Sequence, residues 1–400
     1  MKAKNFLFIA ILIFFLGFLI GCAHHFQKNI PTNELDEDET NGLSVKTEEY
    51  IPLPHIIDFK MIDHEHGWMT VIKDEDKIGI LVTSDQGFTW KEVTPNIPLG
   101  KEITQPYFFL NETHAWLTMK KFGEIQLIYT QDGGENWIES NPFVSEEGEM
   151  MGLTFTDENI GWITNFVSGI GMGGNHIELA KTIDGGKNWS LISEESSNHI
   201  IPYEGLKGTV IFSDPQQGWI PVSTIEVQPW LFASTNGGTT WERYYLPSHP
   251  EIQGENLISV GPLIFLEKNN KVFIVGFSSA DKVTIAIYST TNSNNNWGIS
   301  PKIDFESTDI GPNGISISVL DAQHVWFGLK NRLFSYQNAQ WKEESSISEK
   351  LPQDYWIKKV DFLKENEGWL VIGNNIKSRL LYTKDGGKSW EEVQARIEYK

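Results

Sequence analysis

Four carboxylates occur in near-identical surroundings: Asp85, Asp132, Asp184 and Asp385 each follow a Thr by two residues and precede Gly87, Gly134, Gly186 and Gly387 by two. Carboxylates about 5–9 Å apart would suit acid–base hydrolysis of a glycosidic bond. Repetition argues for a different task. In a tight turn an Asp accepts hydrogen bonds from backbone N–H groups, and the Gly supplies positive φ without steric cost. These residues read as structural, and none is assigned a catalytic role. The densest set of potential metal ligands, Asp63-His64-Glu65-His66, falls in a predicted turn between strands and reads as solvated turn rather than a metal site. Gly169-Ile170-Gly171-Met172-Gly173-Gly174 lies between two strands with no following helix, so it is not read as a phosphate cradle. No phosphate loop, nucleotide fingerprint or nucleophile elbow occurs, so the sequence implies no enzyme and no cofactor.

Cys22 is the only Cys, which leaves no disulfide and no thiolate metal site. It closes a segment with Lys2 and Lys4 at the start and an apolar run from Phe6 to Ile20, short for a membrane span and typical of a signal-peptide core. The ending Leu19-Ile20-Gly21-Cys22 resembles the lipobox of bacterial lipoprotein signal peptides. That resemblance implies a diacylglyceryl group on Cys22, and two acyl chains hold a protein stably on a membrane. The alternative, an ordinary signal anchor with an incidental Cys, leaves the sole Cys unexplained. The expected organisation is a signal peptide over 1–22 and an acidic flexible tether over 23–49 that includes Asp36-Glu37-Asp38-Glu39. A folded part over 50–400 follows, lipid-anchored to the outer face of the bacterial cell membrane.

Repeats define the folded part. Five segments fit Ser/Thr-x-Asp/Asn-x-Gly-x-x-Trp. They end at Trp90, Trp137, Trp189, Trp241 (with Asn236 and Gly238) and Trp390, and degenerate copies end at Trp297 and Trp341. The seven Trp are 44 to 56 residues apart, the length of a four-stranded blade. A second landmark precedes each box: Gly67-Trp68, Ala115-Trp116, Gly161-Trp162, Gly218-Trp219, Val325-Trp326 and Gly368-Trp369, with Val272-Phe273 in copy five. In copy one the pattern predicts strands over 56–61, 68–73, 78–83 and 89–94. Seven such units closed in a ring remove exposed sheet edges. The fold class is therefore all-β, a seven-bladed β-propeller of four-stranded antiparallel blades; an open β-solenoid would need shorter coils and capping ends.

The boxes resemble the BNR or Asp-box repeat. Together with the Gly-Trp landmark they look like the repeat of the photosystem II assembly and stability factor family, across about residues 55–395. That resemblance implies a seven-bladed propeller acting as a protein-binding scaffold. Sialidases carry Asp-boxes too, and place three arginines around the substrate carboxylate. Here the four Arg (Arg243, Arg332, Arg379, Arg396) all lie in the second half, so that activity is not expected. An extracellular carbohydrate-active enzyme using a carboxylate pair near the central channel stays as the alternative function.

A formal charge of −21 excludes sequence-independent nucleic-acid binding, which needs clustered Lys and Arg. A basic protein partner fits better. Function in such folds sits on loops, and the boxes occupy the turn between third and fourth strands. The opposite face carries the links between blades, where Glu146, Glu147, Glu149, Glu194, Glu195, Glu204, Glu251 and Glu255 concentrate. That face is the candidate partner-binding surface, with Tyr244, Tyr245 and the off-pattern Trp230 and Trp356 as further members.

Overall fold

The computed structural model describes residues 53–399 except 74–76, 97–101, 122–123, 142–148, 172, 194–200, 225, 227, 253–256, 268–269, 279–280, 291–295, 311–313, 345–346, 348–350 and 353. Cys22, the signal segment and the tether lie outside the described residues.

Seven blades, built of mostly antiparallel strands, surround a central axis. Blade 1 consists of Ile56–Met61, Gly67–Ile72, Ile78–Thr83 and Thr89–Glu92, close to the predicted strands. Blade 2 follows with Glu102–Phe109, Ala115–Lys121, Glu124–Thr130 and Ile138–Glu139. Blade 3 has Glu149–Phe155, Gly161–Gly171, Gly174–Thr182 and Ser190–Ser193. Blade 4 has a broken first strand, Leu206–Lys207 and Ile211–Phe212, then Gly218–Thr224, Trp230–Ser234 and Glu242–Tyr245. In blade 5, Leu257–Glu267, Asn270–Ser278 and Lys282–Thr290 are joined by Gly298–Ile299 and Ile303–Glu306 at the outer position. Blade 6 comprises Ile315–Asp321, His324–Leu329, Arg332–Gln337 and Gln340–Glu343; blade 7 comprises Trp356–Lys364, Glu367–Gly373, Lys377–Thr383 and Glu391–Glu392. Blades 4 and 5 are continuous, because Ser223 and Thr224 pair with Ser259 and Ile258.

The Gly-Trp landmark joins one blade to the next. The Trp of the second strand stacks on the aromatic that ends the next blade's first strand: Trp116 on Phe155 at 3.6 Å, Trp162 on Phe212 at 3.7 Å, Trp326 on Phe362 at 3.9 Å. Where a Gly precedes the Trp, it clears room for a side chain of its own blade's first strand, an aromatic ring in blades 3, 4 and 7 and Met61 in blade 1. A Cβ on Gly161 would meet the Phe155 ring at 2.4 Å, and one on Gly218 would meet Phe212 at 2.5 Å. Each such ring is held between a glycine and the preceding blade's indole. Several indole N–H groups also donate across the junction, Trp116 to the Gly185 carbonyl, Trp326 to Gly386 and Trp369 to Gln86. The hydrophobic core is accordingly a series of clusters seated largely between neighbouring blades.

Both ends of the folded chain close the ring. Leu53–Pro54 pairs with Ser378 and Lys377 at the outer edge of blade 7, and Leu53 is buried. At the other end Arg396–Glu398 adds a parallel strand to Thr89–Lys91 of blade 1. The first and last blades are joined further by Lys359 Nζ on Asp58 Oδ1 (2.7 Å), Met61 N–H on Asp361 Oδ2 (2.7 Å) and His64 on Glu367.

Candidate functional site

The box carboxylates are scaffold. In blade 1, Thr83 Oγ1 donates to Asp85 Oδ1 at 2.9 Å, the Gly87 N–H donates to Thr83 Oγ1 at 3.0 Å, and Thr89 N–H donates to Asp85 Oδ1 at 2.7 Å. Asp132, Asp184, Asn236 and Asp385 repeat this closure with Thr130, Thr182, Ser234 and Thr383. Gly87, Gly134, Gly186, Gly238 and Gly387 all have φ between 86° and 94°. The indoles of Trp90, Trp189, Trp241 and Trp390 donate to their own box Gly carbonyl, whereas Trp137 donates to Val93 of blade 1. Hydrogen bonding holds the four box carboxyls below the usual range; for Asp132 the Asn136 amide is the main cause.

The Asp63–His66 turn is folded on itself. Asp63 Oδ1 accepts the N–H groups of Glu65 and His66, and His64 turns to blade 7. Among the described residues no three His, Cys, Asp or Glu side chains converge to hold a metal ion.

On the face opposite the boxes, Glu149, Glu204 and Glu251 are exposed; Glu146, Glu147, Glu194, Glu195 and Glu255 lie outside the described residues. One expected member is corrected. Trp230 is only 1% exposed, because it belongs to the blade 3–4 core and the Arg243 guanidinium lies over its ring at 4.0 Å. Tyr244 is half-buried beside Trp219, and its hydroxyl accepts the Trp297 indole N–H at 2.9 Å. Trp356 is half-buried at the start of blade 7, with its indole nitrogen enclosed.

The same rim also carries Arg243, Tyr203 and Lys207, which the sequence did not mark as members of it. Arg243 joins Glu204 (3.0 Å), Glu226 (3.3 Å) and the Tyr245 hydroxyl (3.0 Å). Tyr245 and Tyr203 are 47% and 43% exposed, and Tyr203 packs on His176 with ring centroids 4.6 Å apart. Beneath them Lys207 is buried, donating to the carbonyls of Asn175 (2.5 Å) and Tyr203 (2.7 Å), and burial brings its ammonium down to about 7. The signal for Arg243 lay in register: Trp230 pairs with Tyr245 and Phe232 with Arg243, so the Arg is the diagonal neighbour that covers the indole. This rim combines exposed Tyr with a stacked, ion-paired Arg, the composition that carries energy at protein interfaces.

A second polar cluster lines the channel where blades 7 and 1 meet. It contains Asp58 and Lys60 of blade 1 and Lys358, Lys359 and Asp361 of blade 7. Lys60 Nζ also reaches the Phe109 carbonyl of blade 2 at 2.8 Å. Burial pushes Asp361 up to about 6 against the pull of the Met61 N–H and of Lys359.

The fold and these surfaces define the class: a seven-bladed β-propeller. Its architecture is similar to that of "YCF48 bound to D1 peptide" (17% identity, 83% of this chain and 92% of that chain, TM-score 0.53). A likeness to a photosystem II assembly factor, expected from the paired landmarks, therefore holds at the level of fold. The chain is also similar to a puromycin-hydrolyzing peptidase of Mycobacterium tuberculosis (9% identity, 86% of this chain and 54% of that chain, TM-score 0.52). A polysaccharide lyase of family PL25 follows at 10% identity and a TM-score of 0.47, covering 71% and 81%. No family model matches the chain, and no curated protein sequence does.

Proposed function

We propose that the chain is an exported scaffold, lipid-anchored through Cys22, that binds a protein partner through the loop face opposite the boxes. The carrying observation is the rim of blades 3 and 4, where exposed Tyr203 and Tyr245 flank Arg243 over a buried Trp230. Rigid aromatics lose little entropy on binding. The acidic groups beside Arg243, Glu204 and Glu226, and the exposed Glu251 on the link after blade 4, suit a partner with basic residues. Peptide binding by the structurally similar YCF48 supports the reading. The experiment is crosslinking and mass spectrometry of the native lipoprotein in its membrane. Tyr203→Ala with Tyr245→Ala is expected to cut partner recovery about tenfold or more; unchanged recovery overturns the assignment of this face.

One observation favours the alternative of a carbohydrate-active enzyme: Asp58 and Asp361 are both channel carboxyls, and Asp361 is drawn to about 6, the range of a general acid. Each is nevertheless committed to a bond across the blade junction. Incubation with extracellular polysaccharides and chromogenic glycosides is expected to release no reducing sugar. Release that Asp361→Asn abolishes would replace the scaffold reading with the enzymatic one.

A further inference from the structure

Charged residues within the first strands of the blades are unevenly placed. Away from strand ends, blades 2 to 6 contribute none; Lys207, which ends the first short strand of blade 4, is buried among carbonyls. Blades 1 and 7 together contribute Asp58, Lys60, Lys358, Lys359 and Asp361. Three ammonium groups against two carboxylates leave a local charge of +1 in a chain of formal charge −21. The site is in contact with solvent, since Lys359 and Asp58 are 36% and 29% exposed.

The cluster is not internally satisfied. Lys359 is paired with Asp58, and Lys60 donates to Phe109 O. Among the described residues Lys358 has one long contact, 3.3 Å to the Ile56 carbonyl, and no carboxylate partner. Pairing of blade 7's first strand skips Lys358: Ile357 faces Ile372 and Lys359 faces Val371. Lys358 is thus the extra residue of a β-bulge, a device that re-aims a side chain. Without the bulge Lys358 and Lys359 would project to opposite faces of the sheet; with it both reach the first strand of blade 1.

We propose that Lys358 and its neighbours form a binding site for a carboxylate at the central channel, distinct from the rim of blades 3 and 4 and independent of what that rim binds. A local charge of +1 matches a monoanion. A phosphate dianion would face Asp58 and Asp361 and would find, among the described residues, neither an Arg fork nor a nest of backbone N–H groups. The carboxylate can belong to a small free acid or to a residue on an extended peptide, and the two are separable by size.

The groups facing the site set its pH dependence. Burial brings Lys358 down to about 7. Asp361 titrates near 6, Lys359 is held protonated by Asp58, Lys60 is lowered by burial, and His55 is kept below its usual value by burial and by Lys358. Raising the pH from 5.5 to 9 therefore removes positive charge and adds negative charge, so carboxylate binding weakens throughout.

The test is calorimetric titration of the folded protein with acetate, with an acetylated tetraglutamate peptide and with inorganic phosphate, at pH 5.5, 7 and 9. Acetate or the peptide is expected to bind, more weakly at pH 9. Lys358→Gln is expected to lower affinity about tenfold. Lys358→Arg is expected to retain binding and lose the pH dependence between 7 and 9, because Arg stays charged. Binding of acetate alone identifies a small acid, and tighter binding of the peptide identifies a peptide ligand. Absence of binding by both, binding that Lys358→Gln leaves intact, or a preference for phosphate overturns the proposal. Unchanged circular dichroism of both variants secures the comparison.

Discussion

At the residue scale, the box Asp gains its importance from two hydrogen bonds that one oxygen accepts. Asp184 Oδ1 takes the Asn188 N–H and the Thr182 hydroxyl, both at 2.9 Å. Asn236 does the same in blade 4, accepting Thr240 N–H at 3.0 Å. Asp184→Asn, which keeps these two bonds but loses the carboxylate that accepts the Asn188 amide at Oδ2, is therefore expected to cost less than Asp184→Ala, whose cost should be about 1–2 kcal/mol, read as the shift of a urea unfolding midpoint. The charge has its own consequence. The carboxyls of Asp85, Asp132, Asp184 and Asp385 are depressed in the fold. The stability they contribute is present above the unfolded value of about 3.9 and is lost as pH falls through the folded values. Replacing all four by Asn should flatten the acid limb of the stability curve below about pH 4; an unchanged limb would assign acid unfolding to other groups. This chemistry was legible in sequence because the turn is local. Burial of Trp230 was not, since its cover, Arg243, comes from the next strand, and an off-pattern Trp carries no mark of which face it takes.

At the scale of the element, the strand pattern was legible from alternation and turn residues, and the Gly-Trp doublet marked where each second strand opens. The reason for the Gly was not visible without its partner. The partner stands six residues earlier in four blades: Met61 and Gly67, Phe155 and Gly161, Phe212 and Gly218, Phe362 and Gly368. An apolar residue six before Gly-Trp was the available signal. The geometry predicts strong coupling. Phe155→Ala should cost about 3–5 kcal/mol by cavity formation, and Gly161→Ala should also destabilise, since its Cβ would press on the Phe155 ring. In the double mutant the ring is gone and the methyl partly fills the space. The two losses should then sum to less than their separate values by about 0.5 kcal/mol or more. Strict additivity in denaturant melts would mean that the glycine answers to the backbone rather than to the ring.

For the whole molecule, repeats give the number of blades but cannot say how the ring shuts, because closure joins residues some 300 apart whose pairing leaves no periodic trace. Six junctions are bridged by covalent chain; the junction of blades 7 and 1 is held by non-covalent bonds alone. The ends of the folded chain are spent there, Leu53–Pro54 on blade 7 and Arg396–Glu398 on blade 1. Loop closure entropy grows slowly with length, so a few ladder bonds, one buried Leu and the Lys359–Asp58 pair can hold a ring of this size. Removing residues 395–400 deletes the parallel ladder on Thr89–Lys91 and the Arg396 N–H bond to Phe88. The expected cost is on the order of 2–3 kcal/mol. Loss should appear first at the junction, as faster amide hydrogen exchange at Met61 and Ile56, whose N–H groups bond to Asp361 and Ser378 of blade 7, while Trp116 and Ile163 in blades 2 and 3 keep their protection. If exchange instead accelerates uniformly around the ring, the propeller opens as one cooperative unit and the termini contribute to global stability without guarding a weak point.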